Sequence, residues 1–159
     1  MLALPGGLHV LRRSRASSER DARVLKPAGS VALLVWGPIE RCPGYARLAG
    51  CFEQQLGDAQ GGAAIRAPFA YDDVAQLSPP LEAAGFEHLE LTEREGRIHF
   101  NSLRDMLDLE VAGTPLAEPD QEARYIQLLQ RTKPILAPWS DGDALEFPVT
   151  AFLAKAVRP

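Results

Sequence analysis

Apolar residues are unevenly spaced along the chain, and their spacing divides it into elements. The longest apolar run, Val31-Ala32-Leu33-Leu34-Val35-Trp36, is bounded by Gly29 and by Gly37-Pro38. An unbroken run of that length predicts a strand covered on both faces, as inside a parallel sheet. Downstream, Pro43 suits the first turn of a helix. Tyr45, Leu48, Phe52 and Leu56 follow at spacings of three and four up to Gly57, the pattern of an amphipathic core helix. Asp58 to Ala64, rich in small residues, reads as a loop. Asp72 is placed to cap the next helix, Ser78-Pro79 to restart it after a break, and Gly85 to stop it.

Phe86 to Glu93 and Gly96 to Phe100 alternate apolar with polar positions, as half-buried strands do, and fit either one long bent strand or a hairpin. Ser102 and Asp105 open a helix through Leu103, Met106, Leu107 and Val111 to Gly113. Pro119-Asp120 open another, with Tyr125, Leu128 and Leu129 on one face, disturbed at Pro134. Leu145 to Val157 is the closing strand, in which Pro148 calls for an edge or a bulge. Residues 11–23, LRRSRASSERDAR, have almost nothing apolar at helical spacing, so a helix there is expected to fray.

Composition adds boundaries to this picture. With 46% hydrophobic and 24% charged residues over 159 positions, the chain has a globular balance, and a domain of about 150 residues buries enough surface to fold without disulfides or a structural metal. Cys42 and Cys51 lack zinc-ligand spacing and read as buried thiols. No apolar run approaches the ~20 residues of a membrane span. The first thirty residues hold six basic groups (Arg12, Arg13, Arg15, Arg20, Arg23, Lys26) against Glu19 and Asp21, a net of +4 in a chain of net −4. That arm lacks interleaved aromatics, which argues against a nucleic-acid partner. The amino-terminal residues also lack the apolar core of a secretory signal, so the chain is read as cytoplasmic.

Among candidate chemical groups, His9, His88 and His99 face no predicted carboxylate cluster and read as packing or surface histidines. Asp72-Asp73 reads as helix capping, and Ser140-Asp141-Gly142-Asp143 as a turn rather than a calcium loop, so no metal is expected. Trp36 and Phe69 are the candidate substrate-binding residues, because open α/β sheets place ligands at the carboxyl ends of their strands.

Arg23-Val24-Leu25-Lys26-Pro27-Ala28-Gly29, followed by an apolar strand, resembles the R-x-L-K-P-G-G signature before the fifth strand of class I S-adenosylmethionine-dependent methyltransferases. Trp36-Gly37-Pro38, Ala67-Pro68-Phe69, Leu81 to Phe86 and Phe147-Pro148 through Ala156 fall in the order and spacing of the subgroup related to ubiquinone and menaquinone biosynthesis enzymes. The resemblance covers about residues 23 to 157. It implies an α/β fold, a partial Rossmann-like methyltransferase sheet of the C-terminal strands, with a helical insertion before the last one. Residues 1–22 are then a basic, weakly structured segment, and 23–159 the C-terminal half of a methyltransferase-like domain.

The implied activity is methyl transfer from S-adenosylmethionine to a small molecule, with no catalytic residue identifiable by type. The family's Gly-rich loop and its ribose-binding acidic residue have no counterpart in this sequence. What the resemblance retains for the cofactor is the backbone at Gly7 and Leu8, at the end of the family's fourth strand, so weak or absent cofactor binding is expected of this chain alone. The alternative is a non-catalytic dimerisation or small-ligand-binding module derived from a methyltransferase. Either way, an open sheet edge at the fifth strand or a frayed fourth is expected to favour self-association. Ala28 stands where the signature has its first glycine, in a turn that often needs a positive φ.

Overall fold

A computed structural model describes residues 2–5, 26, 28–112 and 121–159. Among these, five α-helices accompany a mixed, mostly antiparallel sheet. The main strands are β1 (Leu2–Pro5), β2 (Ser30–Trp36), β3 (Glu87–Phe100) and β5 (Ala144–Val157), in the order β1-β2-β5-β3, and the two-residue β4 (Ser140–Asp141) pairs with β5. β1 runs parallel to β2, with Leu2 opposite Val31 and Pro5 opposite Leu34. β2 is antiparallel to β5, from Ser30 opposite Val157 to Trp36 opposite Ala151. The chain divides into two compact units: Met1–Pro38, Pro68–Glu95 and Thr150–Pro159 form the first, and Ile39–Ala67 with Gly96–Val149 the second.

In the first unit, Val31, Leu33 and Val35 of β2 and Phe152, Ala154 and Ala156 of β5 turn to one face. There they pack with Leu77, Leu81 and Phe86. Those three come from a 3-10 turn (Val74–Leu77), from the helix Ser78–Ala83 and from the residue entering β3. β2 therefore departs from the expected two-sided burial. It alternates, and Leu34 is 45% exposed, because β2 lies between a parallel and an antiparallel neighbour and these packing residues line only one of its faces. Of the two edges expected, the strand read as the fifth, β2, is flanked on both sides, and among the described residues the outermost strand there is β1, which precedes it. The capping residue is Asp73 rather than Asp72. Its carboxylate accepts from Ala75 N–H (2.7 Å), while the Gln76 amide oxygen accepts from the Asp73 N–H (3.4 Å), closing a capping box.

The turn before β2 is closed by the Gly29 N–H donating to the Lys26 carbonyl (2.8 Å), and Ala28, its third residue, has φ 61°. That is the type II pattern, which favours glycine at this position. Ala28 N–H donates to the Arg158 carbonyl (2.9 Å) and Arg158 N–H to the Gly29 carbonyl (2.8 Å), clasping the start of β2 to the end of β5.

In the second unit, α1 (Pro43–Gly50) has Pro43 at its start as predicted and continues into a π-turn, Cys51–Gln55, where Leu56 N–H donates to the Cys51 carbonyl (3.2 Å). The segment expected as a loop is instead α2 (Ala59–Arg66), capped by the Asp58 carboxylate on Gly61 N–H (2.8 Å). Glycines normally weaken a helix, but a Cβ on Gly61 would lie 2.4 Å from the Phe52 ring and one on Gly62 2.3 Å from Glu53. Bare backbone is what lets α2 pack this close to the π-turn, and the Glu53–Arg66 ion pair (2.8 Å) joins the two elements.

Counting onward, α3 is the Ser78–Ala83 helix of the first unit, and the second unit adds α4 (Leu103–Ala112) and α5 (Gln121–Leu136). Ser102 caps α4 through Asp105 N–H (3.0 Å) as expected; its expected stop, Gly113, lies outside the described residues. The alternating positions of 86–100 form one long strand, and Gly142, at φ 61°, makes the turn between β4 and β5. Pro148 falls between the stretch of β5 paired with β4 and the stretch paired with β2, so its missing N–H costs no bond in those two ladders. No helix among the described residues is long and apolar enough to cross a membrane.

Candidate functional site

Trp36 is the last residue of β2, at the carboxyl end of the parallel pair β1–β2. Gly37 holds the chain against β5 there. Its N–H donates to the Thr150 carbonyl (2.8 Å), and a Cβ would come within 3.1 Å of the Thr150 methyl and 3.2 Å of the Phe152 ring. The chain re-enters the first unit at Pro68, and Phe69 stacks on Trp36 with ring centroids 6.3 Å apart and planes 24° from parallel. The two substrate candidates are thus brought together. A third ring between them would need about 7 Å, two contact distances, so a flat ligand has to use an outer face. Phe69 is 8% exposed and Trp36 half-buried, which leaves the indole as the accessible partner.

The carboxylate of Asp73, four residues beyond Phe69, is committed to its cap. Gly7, Leu8 and His9 lie outside the described residues. The described surroundings of Trp36 and Phe69 offer aromatic contact and no Gly-rich loop, and so do not fit a nucleoside cofactor that needs ribose and methionine anchors.

The second unit holds polar groups that sequence reading missed. Tyr45 O–H donates to Glu110 Oε1 (2.6 Å), and the Tyr45 ring meets Phe147 edge-on at 5.7 Å. Burial, followed by the negative charge of Glu110, pushes the phenol above its usual range; burial also raises the Glu110 carboxyl, against the stabilising hydrogen bond. Tyr45 reads as a core position in the sequence, and a partner 65 residues away leaves no local signal. Cys42, at the start of α1, is pushed up to about 12 by desolvation, and Cys51 is also raised by burial; both are buried thiols, as read from sequence.

A cleft of about 360 Å³ lies among Arg97, His99, Trp139, Asp141 and Glu146, at the corner of β3, β4 and β5. His99 is surface-exposed, as expected, and 3.8 Å from Glu146. His88 is held at φ 52° at the start of β3. Among the described residues no group of His, Cys, Asp and Glu has the geometry of a metal site.

Searches against protein-family profiles and curated protein sequences return no match. Among solved structures the chain is similar to YcgJ from Bacillus subtilis, at 13% identity over 91% of this chain and 57% of that one, with a TM-score of 0.43. It is also similar to a proposed methyltransferase from Bacillus halodurans C-125, at 16% identity over 99% of this chain and 67% of the other, with a TM-score of 0.45. The chain therefore spans little more than half of the first protein's length.

Proposed function

We propose that this chain is the C-terminal, acceptor-facing half of a Rossmann-like S-adenosylmethionine-dependent methyltransferase sheet, serving methyl transfer to a small, apolar molecule. The observation that carries the reading is the Trp36–Phe69 pair at the carboxyl end of β2, next to a strand parallel to it, with the Lys26-Pro27-Ala28-Gly29 turn leading into that strand. Ligands of open α/β sheets sit beyond the carboxyl ends of such strands. The protein's share in this chemistry is to hold donor and acceptor in line. Here Trp36 and Phe69 supply the apolar wall for the acceptor.

Contact without polar anchors gains little over the entropy lost on binding. The 159-residue chain alone is accordingly expected to bind S-adenosylmethionine no better than about millimolar, roughly −4 kcal/mol, and to transfer no methyl group. Titration calorimetry with S-adenosylmethionine tests this. Micromolar binding would mean that residues outside the described set, or a second copy, complete a cofactor site. A small aromatic acceptor should quench the Trp36 fluorescence, and a Trp36→Phe variant should lose that response. Absence of any acceptor response would leave the alternative, a dimerisation module, which light scattering reads as twice the chain mass.

A further inference from the structure

We propose that the cleft in the second unit is a binding site for a small organic ammonium ion, a role separate from the methyl-transfer reading and independent of it. The site follows from strand periodicity. Near its end β3 presents Arg97 and His99 to one side and Ile98 and Phe100 to the other, where Phe100 meets the Phe147 ring at 6.2 Å. β5 does the same, with Leu145 and Phe147 buried and Ala144 and Glu146 turned outward. The apolar side completes the core, and the polar side forms one wall of a cleft of about 360 Å³. A 3-10 turn (Ala137–Trp139) and β4 supply the opposite wall with Pro138, Trp139, Ser140 and Asp141. That volume lies in the range of small-molecule sites.

The charges select the ligand. Arg97 Nε donates to Glu146 Oε1, so the guanidinium is already neutralised within the wall. The second carboxylate oxygen of Glu146 faces His99 Nδ1 at 3.8 Å, too far for a hydrogen bond, and stays open to another donor. Ser140 is turned away, its hydroxyl donating to the Leu136 carbonyl (3.2 Å). The Asp141 carboxylate makes no hydrogen bond or ion pair among the described residues, and Asp143 adds a further exposed carboxylate two positions on. The Asp141 carboxylate, the second oxygen of Glu146 and the Trp139 side chain line one cleft, a set complementary to an alkylammonium ion through charge and through the ring quadrupole. An anion would meet the Asp141 carboxylate, which repels it, while Arg97 already shares its charge with Glu146.

The two indole N–H resonances of Trp36 and Trp139 in a nitrogen–proton correlation spectrum provide the test, with Trp36→Phe assigning them. Methylammonium and tetramethylammonium chlorides are titrated against sodium chloride at matched ionic strength and against sodium acetate. The expected result is a saturable shift of the Trp139 signal by an ammonium probe in the range of about millimolar, as suits a partly exposed cation–π site. Asp141→Asn should weaken that binding about fivefold or more, leaving the rest of the spectrum unchanged because Asp141 is exposed on a hairpin. A Trp139 shift with acetate, no response to either ammonium ion beyond that to sodium chloride, or unchanged affinity in Asp141→Asn overturns the proposal.

Discussion

Replacing Ala28 by glycine is expected to stabilise the protein, although it removes a methyl group. Ala28 sits at φ 61°, in the left-handed region, at the third position of a turn closed from Gly29 N–H to the Lys26 carbonyl. For a residue with a Cβ that conformation costs about 1–2 kcal/mol. Glycine removes the cost but loses about 0.4–1 kcal/mol through its larger freedom in the unfolded chain. The balance is a gain of about 0.5–1 kcal/mol, or about 1–4 °C in Tm for a chain of this size. The clasp is unaffected, because glycine keeps the N–H that donates to the Arg158 carbonyl. Ala28→Val is the opposite control: a β-branched side chain tolerates this region worst, and the variant should lose more than about 1 kcal/mol. Urea unfolding of the three proteins, compared at equal slopes, measures the order. A glycine variant no more stable than the parent, or a valine variant at least as stable, would refute the assignment of strain to this residue.

Gly44→Ala should destabilise the second unit by about 1–3 kcal/mol in calorimetry, since the new Cβ would lie 2.5 Å from the Phe147 ring in a packed core. Tyr45→Phe should cost about 1–3 kcal/mol in urea unfolding, by leaving the Glu110 carboxyl without its donor in a partly buried place. Alkaline stability follows from the raised thiol and phenol: above pH 9 the unfolded chain releases the Cys42 proton that the folded chain keeps until about 12, and above pH 10 the same holds for Tyr45. Stability should therefore fall as pH climbs through this window, by up to about 1.4 kcal/mol per pH unit for each group, and Cys42→Ala should flatten the early part of the decline.

β2, β3, β5 and the helix carrying Tyr45 and Leu48 were legible because their residue patterns are local. The same holds for the Ser102 cap and for the proline in the closing strand. Helix α2 was not legible, since Gly61 and Gly62 signal a loop until Phe52 and Glu53, the side chains they make room for, are in view. The burial of β2 was misread because an apolar run reports the residues' nature and not what covers them; Leu34 is as hydrophobic as Leu33 and ten times more exposed. Trp36 and Phe69 are both candidates in the sequence, and their rings stack in the fold. The Tyr45–Glu110 bond and the cleft around Trp139 depend on contacts between residues far apart in sequence, to which composition and spacing are blind.

The sheet order also sorts the strands by their capacity to build amyloid. Ser30–Trp36 is seven residues of high β-propensity with no charge, glycine or proline, the profile of a steric-zipper segment. β3, an outermost strand, carries Glu87, Glu90, Glu93, Arg94, Glu95 and Arg97 within fourteen residues, a composition that resists stacking of identical chains. The fold thus shields its fibril-competent stretch between β1 and β5 and turns a charged strand outward. Among the described residues the guard on one flank is the four residues of β1, so detachment of Leu2–Pro5, short of unfolding, is the event that bares a template for cross-β growth.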